Sequence, residues 1–311
     1  MPPQPSDSQD AAPPSPTPTP TPTTPAGEVR KTPFFEATNA ARYERQGLIG
    51  AIEEHTHVPL ICFVCGDERQ ITRSDVIGFV DLLHNVPQGS SVDLLLHTPG
   101  GDIDAAEKIG LLIRKRVGPS GKLRVIVPDF AKSAGTLLAL AADRIIMGDT
   151  SELGTIDPQV WLPGETGPAS YSAKSYLDAF RLHSEGLKID PNDRVAEIML
   201  SKLDPVMVRK FERMTKRSET IAVELLRRGM IPDEPTAKKI AEELINTQKW
   251  HSHGQVISHE LAIGIGLTVD HMPASDPLWE LIWALYCRQR IVADRGIKVF
   301  ESRIVSVPGL V

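Results

Sequence analysis

The chain has 311 residues, with 34 Lys and Arg against 40 Asp and Glu, and therefore a formal net charge of −6. This balance, without a dense Lys/Arg cluster, argues against a nucleic-acid-binding protein, which usually presents a basic face. The chain also contains no apolar run of about 18 residues, the length that a membrane-spanning helix requires. Composition therefore predicts a protein that neither binds nucleic acid nor spans a membrane.

The first 26 residues are rich in proline and threonine. They contain ten prolines and no Leu, Ile, Val, Phe, Trp or Tyr. Such a segment cannot bury enough apolar surface to offset its ordering entropy, so we predict that residues 1–30 are disordered, with polyproline II character. The stretch lacks the basic and apolar regions of a secretory signal. Together with only 3 cysteines, this predicts a reducing, cytoplasmic location.

The rest of the chain alternates short apolar runs with amphipathic segments. In chain order the pattern predicts a strand at 58–64, a helix at 72–83, a strand at 91–96, a helix at 102–117, a strand at 123–127, a helix at 134–142 and a strand at 144–147. Later residues predict helices at 173–185, 194–200, 205–228 and 235–246, a strand or hairpin at 250–257, and helices at 258–265 and 277–290. Strands that alternate with helices at this interval predict an α/β fold with a largely parallel sheet.

Two glycine-bearing loops, HTPGGD and DFAKSAG, follow neighbouring predicted strands. Because the carboxyl ends of parallel strands meet at one edge of a sheet, we expect both loops at the same edge. Ser133 would begin a helix, where the amide of Ala134 could bind an oxyanion, and Gly100 and Gly101 are candidates for the second donor. Each such donor contributes on the order of 3 kcal/mol to acyl transfer. Taken alone, a serine at a helix start is far more often a helix cap, and Gly-Gly after a strand is far more often a simple turn.

Two longer segments resemble the Clp/crotonase superfamily. They are LLLHTPGGDIDAAEKI and VPDFAKSAGTLLALAADRIIMGDTSELGTIDPQ, and they are most similar to the serine dehydrogenase proteinase family, a relative of signal peptide peptidase A and the Clp proteolytic subunit. The resemblance implies a Clp/crotonase-like serine peptidase domain over residues 31–270 that cleaves peptide bonds through an acyl-enzyme. It also implies Ser133 as the nucleophile and an oxyanion hole formed by Gly101, or Gly100, with Ala134.

The general base is the harder assignment. In the Clp subunit a histidine on the strand after the serine is the base, but residues 154–159 (GTIDPQ) contain none. Signal-peptide-peptidase-like relatives use a Ser–Lys dyad instead, and this resemblance points to Lys174, which lies 41 residues after Ser133 at a predicted helix start. A lysine acts as a base only when neutral, which requires burial or nearby positive charge. We expect Tyr171, Tyr176, Leu177 and Phe180 to provide an apolar pocket.

Two residues near the serine are weaker candidates. Lys132 adjoins Ser133, but consecutive residues entering a helix diverge by roughly 100°, so its amine would reach its neighbour's hydroxyl poorly. Asp157 could orient a catalytic group or simply begin a turn before Pro158.

Other polar residues have structural interpretations. Cys62 and Cys65 form a C-x-x-C within a predicted strand, where the two thiols point to opposite faces, so buried structural thiols are expected. The two H-x-H pairs, at positions 55 and 57 and at 251 and 253, lack a further ligand at a fixed spacing, which favours surface or hydrogen-bonded histidines over a metal site. His97 is expected to support the Gly-Gly loop through a hydrogen bond.

The resemblance implies no metal or redox cofactor, a peptide or protein substrate, and a homo-oligomer. Residues 271–311 are predicted to form a C-terminal helical extension that contributes an interface, because the Trp-rich helix at 277–290 lies outside the superfamily core. Two alternatives remain open: a crotonase-like acyl-CoA enzyme that uses the same oxyanion hole, and a non-catalytic Clp-fold interaction protein. Covalent labelling of Ser133 would distinguish the peptidase from both.

Overall fold

A computed structural model describes residues 31–164 and 167–308. The predicted disorder of residues 1–30 lies outside the described residues. Internal contacts divide the chain into one unit of residues 1–39 and a second of residues 40–311. Described residues of the first unit begin a helix at Pro33, with the rings of Phe34 and Phe35 exposed. The sheet and the candidate site discussed below lie in the second unit.

The described residues form eleven helices and eleven strands. The first half contains α1 (Pro33–Thr56), β1 (Leu60–Cys65), α2 (Asp75–Leu83), β2 (Val92–His97), α3 (Ile103–Val117), β3 (Leu123–Val127), β4 (Phe130–Ala131), α4 (Ala134–Ala139), β5 (Arg144–Met147), β6 (Glu152–Leu153), β7 (Gln159–Gly164) and β8 (Gly167–Ser172). The second half contains α5 (Ala173–Ile189), α6 (Arg194–Ser201), α7 (Pro205–Arg228), α8 (Glu234–Ile245), α9 (Thr247–Trp250), α10 (His259–Gly264), β9 (Val269–His271), α11 (Pro277–Ala293), β10 (Lys298–Ser302) and β11 (Ser306–Pro308).

A seven-stranded sheet organises the molecule, in the order β11-β10-β1-β2-β3-β5-β9. The strands from β1 to β9 in this order are parallel to their neighbours, whereas β10 pairs antiparallel with β1 and β11 pairs antiparallel with β10. Every residue of β1 and β2 is buried, as expected for parallel strands covered on both faces. The predicted α/β fold with a largely parallel sheet is confirmed.

Helices cover both faces of this sheet. The larger apolar core lies on one face and includes buried side chains from α2, α3, α4, α7 and α8. The smaller core, on the other face, packs residues of α1 and α11 against the strands. Cys65 belongs to the larger core and Cys62 to the smaller one, which confirms that the C-x-x-C consists of buried thiols on opposite faces. Burial raises the pKa of Cys65 to about 12.

The C-terminal region contains more than the predicted helix. One face of α11 is buried against the sheet, and the chain then adds β10 beside β1 with Ser302 paired to Ile61. A buried ion pair between Arg45 of α1 and Glu301 of β10, at 2.6 Å, accompanies this pairing. Strands β10 and β11 therefore extend the central sheet. On α11 the side chains of Trp283 and Ile291 are exposed, and the interface on this helix stays a prediction.

One element prediction is wrong. Residues 250–257 form neither a strand nor a hairpin, because α9 ends at Trp250 and turns follow, with His251 in the left-handed region. Only Ile257 pairs with a strand, through an isolated bridge to Leu153. Across the described helices, none combines the length and apolarity needed to cross a membrane.

Candidate active site

The two glycine-bearing loops meet at one edge of the sheet, as predicted. They leave the adjacent parallel strands β2 and β3 and are joined by backbone hydrogen bonds from Thr98 N to Phe130 O at 3.1 Å and from Lys132 N to Thr98 O at 3.0 Å. Gly100 lies directly against the nucleophile candidate, since a Cβ at Gly100 would be 2.7 Å from Ser133 Cβ. Only glycine leaves room for this approach.

Ser133 has a strained backbone immediately before α4. Its φ of 52° and ψ of −117° are unusual for a residue with a side chain, and such conformations cost on the order of 1–3 kcal/mol. The hydroxyl does not cap the helix, and it has no hydrogen-bond partner in the part of the chain that the structure describes. The structure therefore holds a free hydroxyl at a helix start.

Two of the amides predicted to form the oxyanion hole are free to donate. Ala134 begins α4, and neither its amide nor that of Gly101 donates to a backbone carbonyl of the described residues. The amide of Gly100 is engaged by Thr98 Oγ1 at 3.2 Å. Of the three predicted oxyanion-hole residues, Gly101 and Ala134 thus have available N–H groups, whereas Gly100 provides the close approach.

Ile71 fixes the Gly-Gly loop from the opposite side. Its amide donates to Gly100 O at 2.6 Å, and its carbonyl accepts from Asp102 N at 2.9 Å. Asp102 also caps α3, where its carboxylate accepts from the amides of Asp104 and Ala105. The loop is consequently anchored at both ends before any substrate binds.

The two lysine candidates have different surroundings. Lys132 Nζ bonds to Glu152 Oε2 at 2.5 Å and to the carbonyl of Leu153 at 3.1 Å, so its amine is engaged by β6. Lys174 is the second residue of α5, as predicted, and its amide donates to the capping hydroxyl of Ser172 at 3.2 Å. Its amine is 2.5 Å from Asp178 Oδ1, one turn further along.

The amine of Lys174 does not lie in the predicted apolar pocket. It lines a cavity of about 870 Å³ together with Asp178, Arg181 and Glu185, and the ring of Tyr171 is half exposed. Of the four residues predicted to form the pocket, only Leu177 lines this cavity, and it also anchors α5 in a small core against α7. Among the described side chains, no hydrogen bond joins Lys174 to Ser133.

A match to a protein-family model identifies the family of this chain. The family model of the ClpP-like SDH-type serine proteinases matches residues 68–286, more than half of the chain and including both loops, Ser133 and Lys174. The chain belongs to this family. The resemblance stated from the sequence is confirmed, and the α/β fold of this chain is ClpP-like.

Two curated relatives are uncharacterized proteins of Methanocaldococcus jannaschii. One is 31% identical over 195 residues, covering 63% of this chain and 58% of the relative. The other is 37% identical over 120 residues, covering 38% of this chain and 36% of the relative. The chain therefore spans 58% and 36% of the lengths of these relatives.

Two solved structures of the 1510-N membrane-bound stomatin-specific protease are also similar. Both are mutant forms, and the second is in complex with a substrate peptide. The first is 18% identical, with a TM-score of 0.31, and covers 69% of this chain and 97% of that chain. The second is 19% identical, with a TM-score of 0.30, and covers 74% of this chain and 98% of that chain.

Sequence reasoning missed the pairing of the buried carboxylate of Asp157 with the partly exposed His253. His253 Nδ1 is 2.8 Å from Asp157 Oδ1, and Thr155 Oγ1 donates to the same oxygen at 2.7 Å. Burial alone would raise the pKa of Asp157, but the hydrogen bonds from His253, Thr155 and Ser172 outweigh it, and the pKa is lowered. Asp157 and His253 each stood out in the sequence as candidate polar residues. They lie 96 residues apart, so no local sequence pattern could pair them.

Asp157 follows β6, the strand that pairs with β4 in the loop that contains Ser133. In the parallel pairing of β4 and β6, Ala131 is opposite Leu153, so the residues after Leu153 continue alongside those that lead to Ser133. With Nδ1 donating to Asp157, the Nε2 atom of His253 is the ring nitrogen left to accept a proton. His253 therefore has the chemistry of a second candidate base.

His97 directly precedes Thr98 and the two glycines, but its ring bonds to Arg290 and Tyr286 and lies 3.5 Å from the amide of Phe130, so the predicted hydrogen bond to the Gly-Gly loop stays a prediction. It is fully buried, and its Nε2 accepts a hydrogen bond from Arg290 Nη1 at 2.7 Å. Burial, reinforced by the charge of Arg290, lowers the pKa of His97 to about 3. Among the described residues there is also no group of three or more His, Cys, Asp or Glu side chains that could hold a metal ion.

Proposed function

We propose that this SDH-type proteinase hydrolyses peptide bonds through a serine acyl-enzyme, with Ser133 as the nucleophile. The observation that carries the proposal is the free Ser133 hydroxyl at the start of α4, packed against Gly100. A strained serine at a strand-to-helix turn presents its Oγ outwards, as in other hydrolases that place the nucleophile on a sharp turn. Membership of a serine proteinase family indicates peptide or protein substrates.

The reaction follows from the groups around this hydroxyl. Ser133 Oγ attacks the scissile carbonyl carbon while its proton passes to the base, and the resulting oxyanion receives hydrogen bonds from the amides of Gly101 and Ala134. The base returns the proton to the leaving amine as the C–N bond breaks. Water then attacks the acyl-enzyme by the same route, which releases the second product and restores the hydroxyl.

Lys174 is the base that we propose. Its position at the start of α5 is held by Ser172 and by a hydrogen bond from Ala173 N to Pro158 O at 2.9 Å, which ties α5 to the segment after β6. To accept the proton, its amine must leave Asp178, a rotation that the flexible lysine side chain allows. His253, with its Nδ1 held by Asp157, is the competing candidate.

Replacing Lys174 with alanine is expected to slow fluorophosphonate labelling of Ser133 by about 100-fold or more at neutral pH, because general base catalysis contributes about 10²–10⁴-fold. The measurement is the labelling rate of the full chain across pH. Lys188→Ala is the matched control, since Lys188 is an exposed lysine of the same helix. That variant should label like the wild type.

A third variant separates the two candidate bases. His253→Gln retains a hydrogen-bonding side chain but cannot accept a proton at catalytic pH. If Lys174 is the base, His253→Gln labels within about threefold of the wild type. Loss of labelling in His253→Gln with retention in Lys174→Ala would refute the lysine assignment and make His253 the base.

We also propose an oligomeric state and a cellular location for this chain. We propose a homo-oligomer in which α11 contributes contacts, because Trp283 and Ile291 present apolar surface on that helix. A reducing cytoplasmic setting is supported by Cys62, Cys65 and Cys287, all of which are free thiols.

A further inference from the structure

One side chain of α11 bridges the ends of the two strands that lead to the candidate active site. His97 ends β2 and begins the loop HTPGGD, and Asp129 follows β3 and begins the loop DFAKSAG, which contains Ser133. The Tyr286 hydroxyl donates to Asp129 Oδ2 at 2.6 Å and lies 3.3 Å from His97 Nδ1. Burial and the Asp129 carboxylate raise the pKa of Tyr286, so the hydroxyl keeps the proton that it donates.

A second side chain, one turn later on α11, completes the connection. Arg290 Nη1 is 2.7 Å from His97 Nε2. Because a guanidinium can only donate, Nε2 must accept, and the single proton of a neutral imidazole then lies on Nδ1, facing the Tyr286 oxygen. The amide of Phe130, 3.5 Å from the same Nδ1, is then left at the limit of hydrogen-bond distance. The hydrogen bonds thus run in one direction, from Arg290 through His97 and Tyr286 to Asp129.

Arg290 also reaches the end of a third strand. Its Nη2 is 2.7 Å from Asp67 Oδ1, two residues after β1. From Asp67 the chain runs to Ile71, whose backbone holds Gly100. The ends of β1, β2 and β3, which are neighbours in the sheet, are therefore all connected to one face of α11.

The central pair of this network is buried, whereas Asp129 and Arg290 are partly exposed. His97 is fully buried and Tyr286 is 3% exposed, and the imidazole lies against the ring of Phe130 with the ring centroids 4.1 Å apart. Buried polar groups that are fully paired specify one arrangement, because any alternative leaves a donor or acceptor unsatisfied. A small rotation of either loop would break at least one of these bonds.

We propose that Tyr286 and Arg290, acting through His97, are positioning residues that set the Gly100–Gly101 loop in register with Ser133. The proposal rests on the function proposed above, in which the two loops supply the oxyanion donors and the nucleophile. Helix α11 thereby acquires a role in the reaction although none of its residues touches the reacting atoms. Misplacement of such groups by about 1 Å can reduce a rate about 100-fold.

Tyr286→Phe is the sharpest test, because it removes one oxygen atom and keeps the ring that packs against Trp283. We expect fluorophosphonate labelling and kcat to fall about tenfold, with KM within about twofold of the wild type. Arg290→Gln should have the same effect. Arg288→Gln is the matched control, because Arg288 lies on the same helix and pairs with exposed Glu44, and it should leave both rates unchanged.

A second measurement does not depend on catalysis. Hydrogen exchange of the amides in residues 98–101 and 132–135 should accelerate in Tyr286→Phe and remain unchanged in Arg288→Gln. If the wild type is never labelled on Ser133, the proposed function fails, and the exchange rates alone decide whether the network holds the loops. If Tyr286→Phe is labelled at the wild-type rate and its loop amides exchange at the wild-type rate, the proposal is overturned. Tyr286→Phe alone provides this test if Arg290→Gln does not fold.

Discussion

Replacing Ser133 with alanine is expected to lower peptide hydrolysis by about 10⁴-fold or more and to abolish fluorophosphonate labelling. Removing the nucleophile of a serine protease leaves only the residual catalysis of the oxyanion hole and substrate binding. The Ser133 hydroxyl has no hydrogen-bond partner among the described residues, so its loss leaves no buried group unsatisfied. We therefore expect the melting temperature to remain the same or to rise.

Ser120→Ala serves as the control for this substitution. Ser120 is an exposed serine in the turn after α3, and its replacement should change neither hydrolysis nor labelling. Hydrolysis that persists in Ser133→Ala, from protein free of contaminating peptidase, would show that another group performs the attack. Such a result would refute Ser133 as the nucleophile, whereas a wild type that neither hydrolyses peptides nor is labelled would leave the crotonase-like and non-catalytic alternatives standing.

Replacing Gly100 with alanine is expected to lower hydrolysis by about 100-fold or more and to destabilise the fold. The added Cβ would lie 2.7 Å from Ser133 Cβ and 2.8 Å from the carbonyl oxygen of Lys132, and the φ of 111° is unfavourable for any residue with a side chain. The clash must separate the two loops, and a displacement of about 1 Å between reacting groups costs about 100-fold in rate.

Gly89→Ala separates strain from crowding. Gly89 also has a positive φ, of 84°, but an added Cβ would meet no atom within 4 Å. This variant should therefore show the cost of backbone strain, on the order of 1–2 kcal/mol, with an unchanged labelling rate per folded molecule. Equal losses of activity in both variants would contradict the close approach of Gly100 to Ser133 as the reason for the glycine.

The parts of the site that sequence could predict are local in the chain. The Gly100–Gly101 loop and Ser133 each follow a short buried strand and precede a helix, and neighbouring parallel strands bring such loops to one edge. The ion pair between Lys174 and Asp178 could also have been predicted from the sequence, because residues four apart on a helix lie on one face. The predicted apolar pocket was wrong because it considered the aromatic neighbours of Lys174 and not this carboxylate.

The parts that could not be predicted depend on distant residues. Helix α1 carries few apolar residues, and only Ile49 and Ile52 among them are fully buried, so its pattern is weak. Strand β10 pairs with β1 across most of the length of the chain, with no turn to indicate the pairing. The bonds of His97 to Tyr286 and Arg290, and of Asp157 to His253, likewise exist only once the chain has folded.

Mass spectrometry of the full-length protein after fluorophosphonate treatment is the most direct test of the central claim. Trypsin cleaves after Lys132 and Arg144, which releases residues 133–144, where Ser133 and Thr136 are the only hydroxyl side chains. We predict one adduct per chain, on Ser133, whose fragment ions distinguish it from Thr136. An unmodified 133–144 peptide from folded protein, or an adduct on any other residue, would contradict the assignment of Ser133 as the nucleophile.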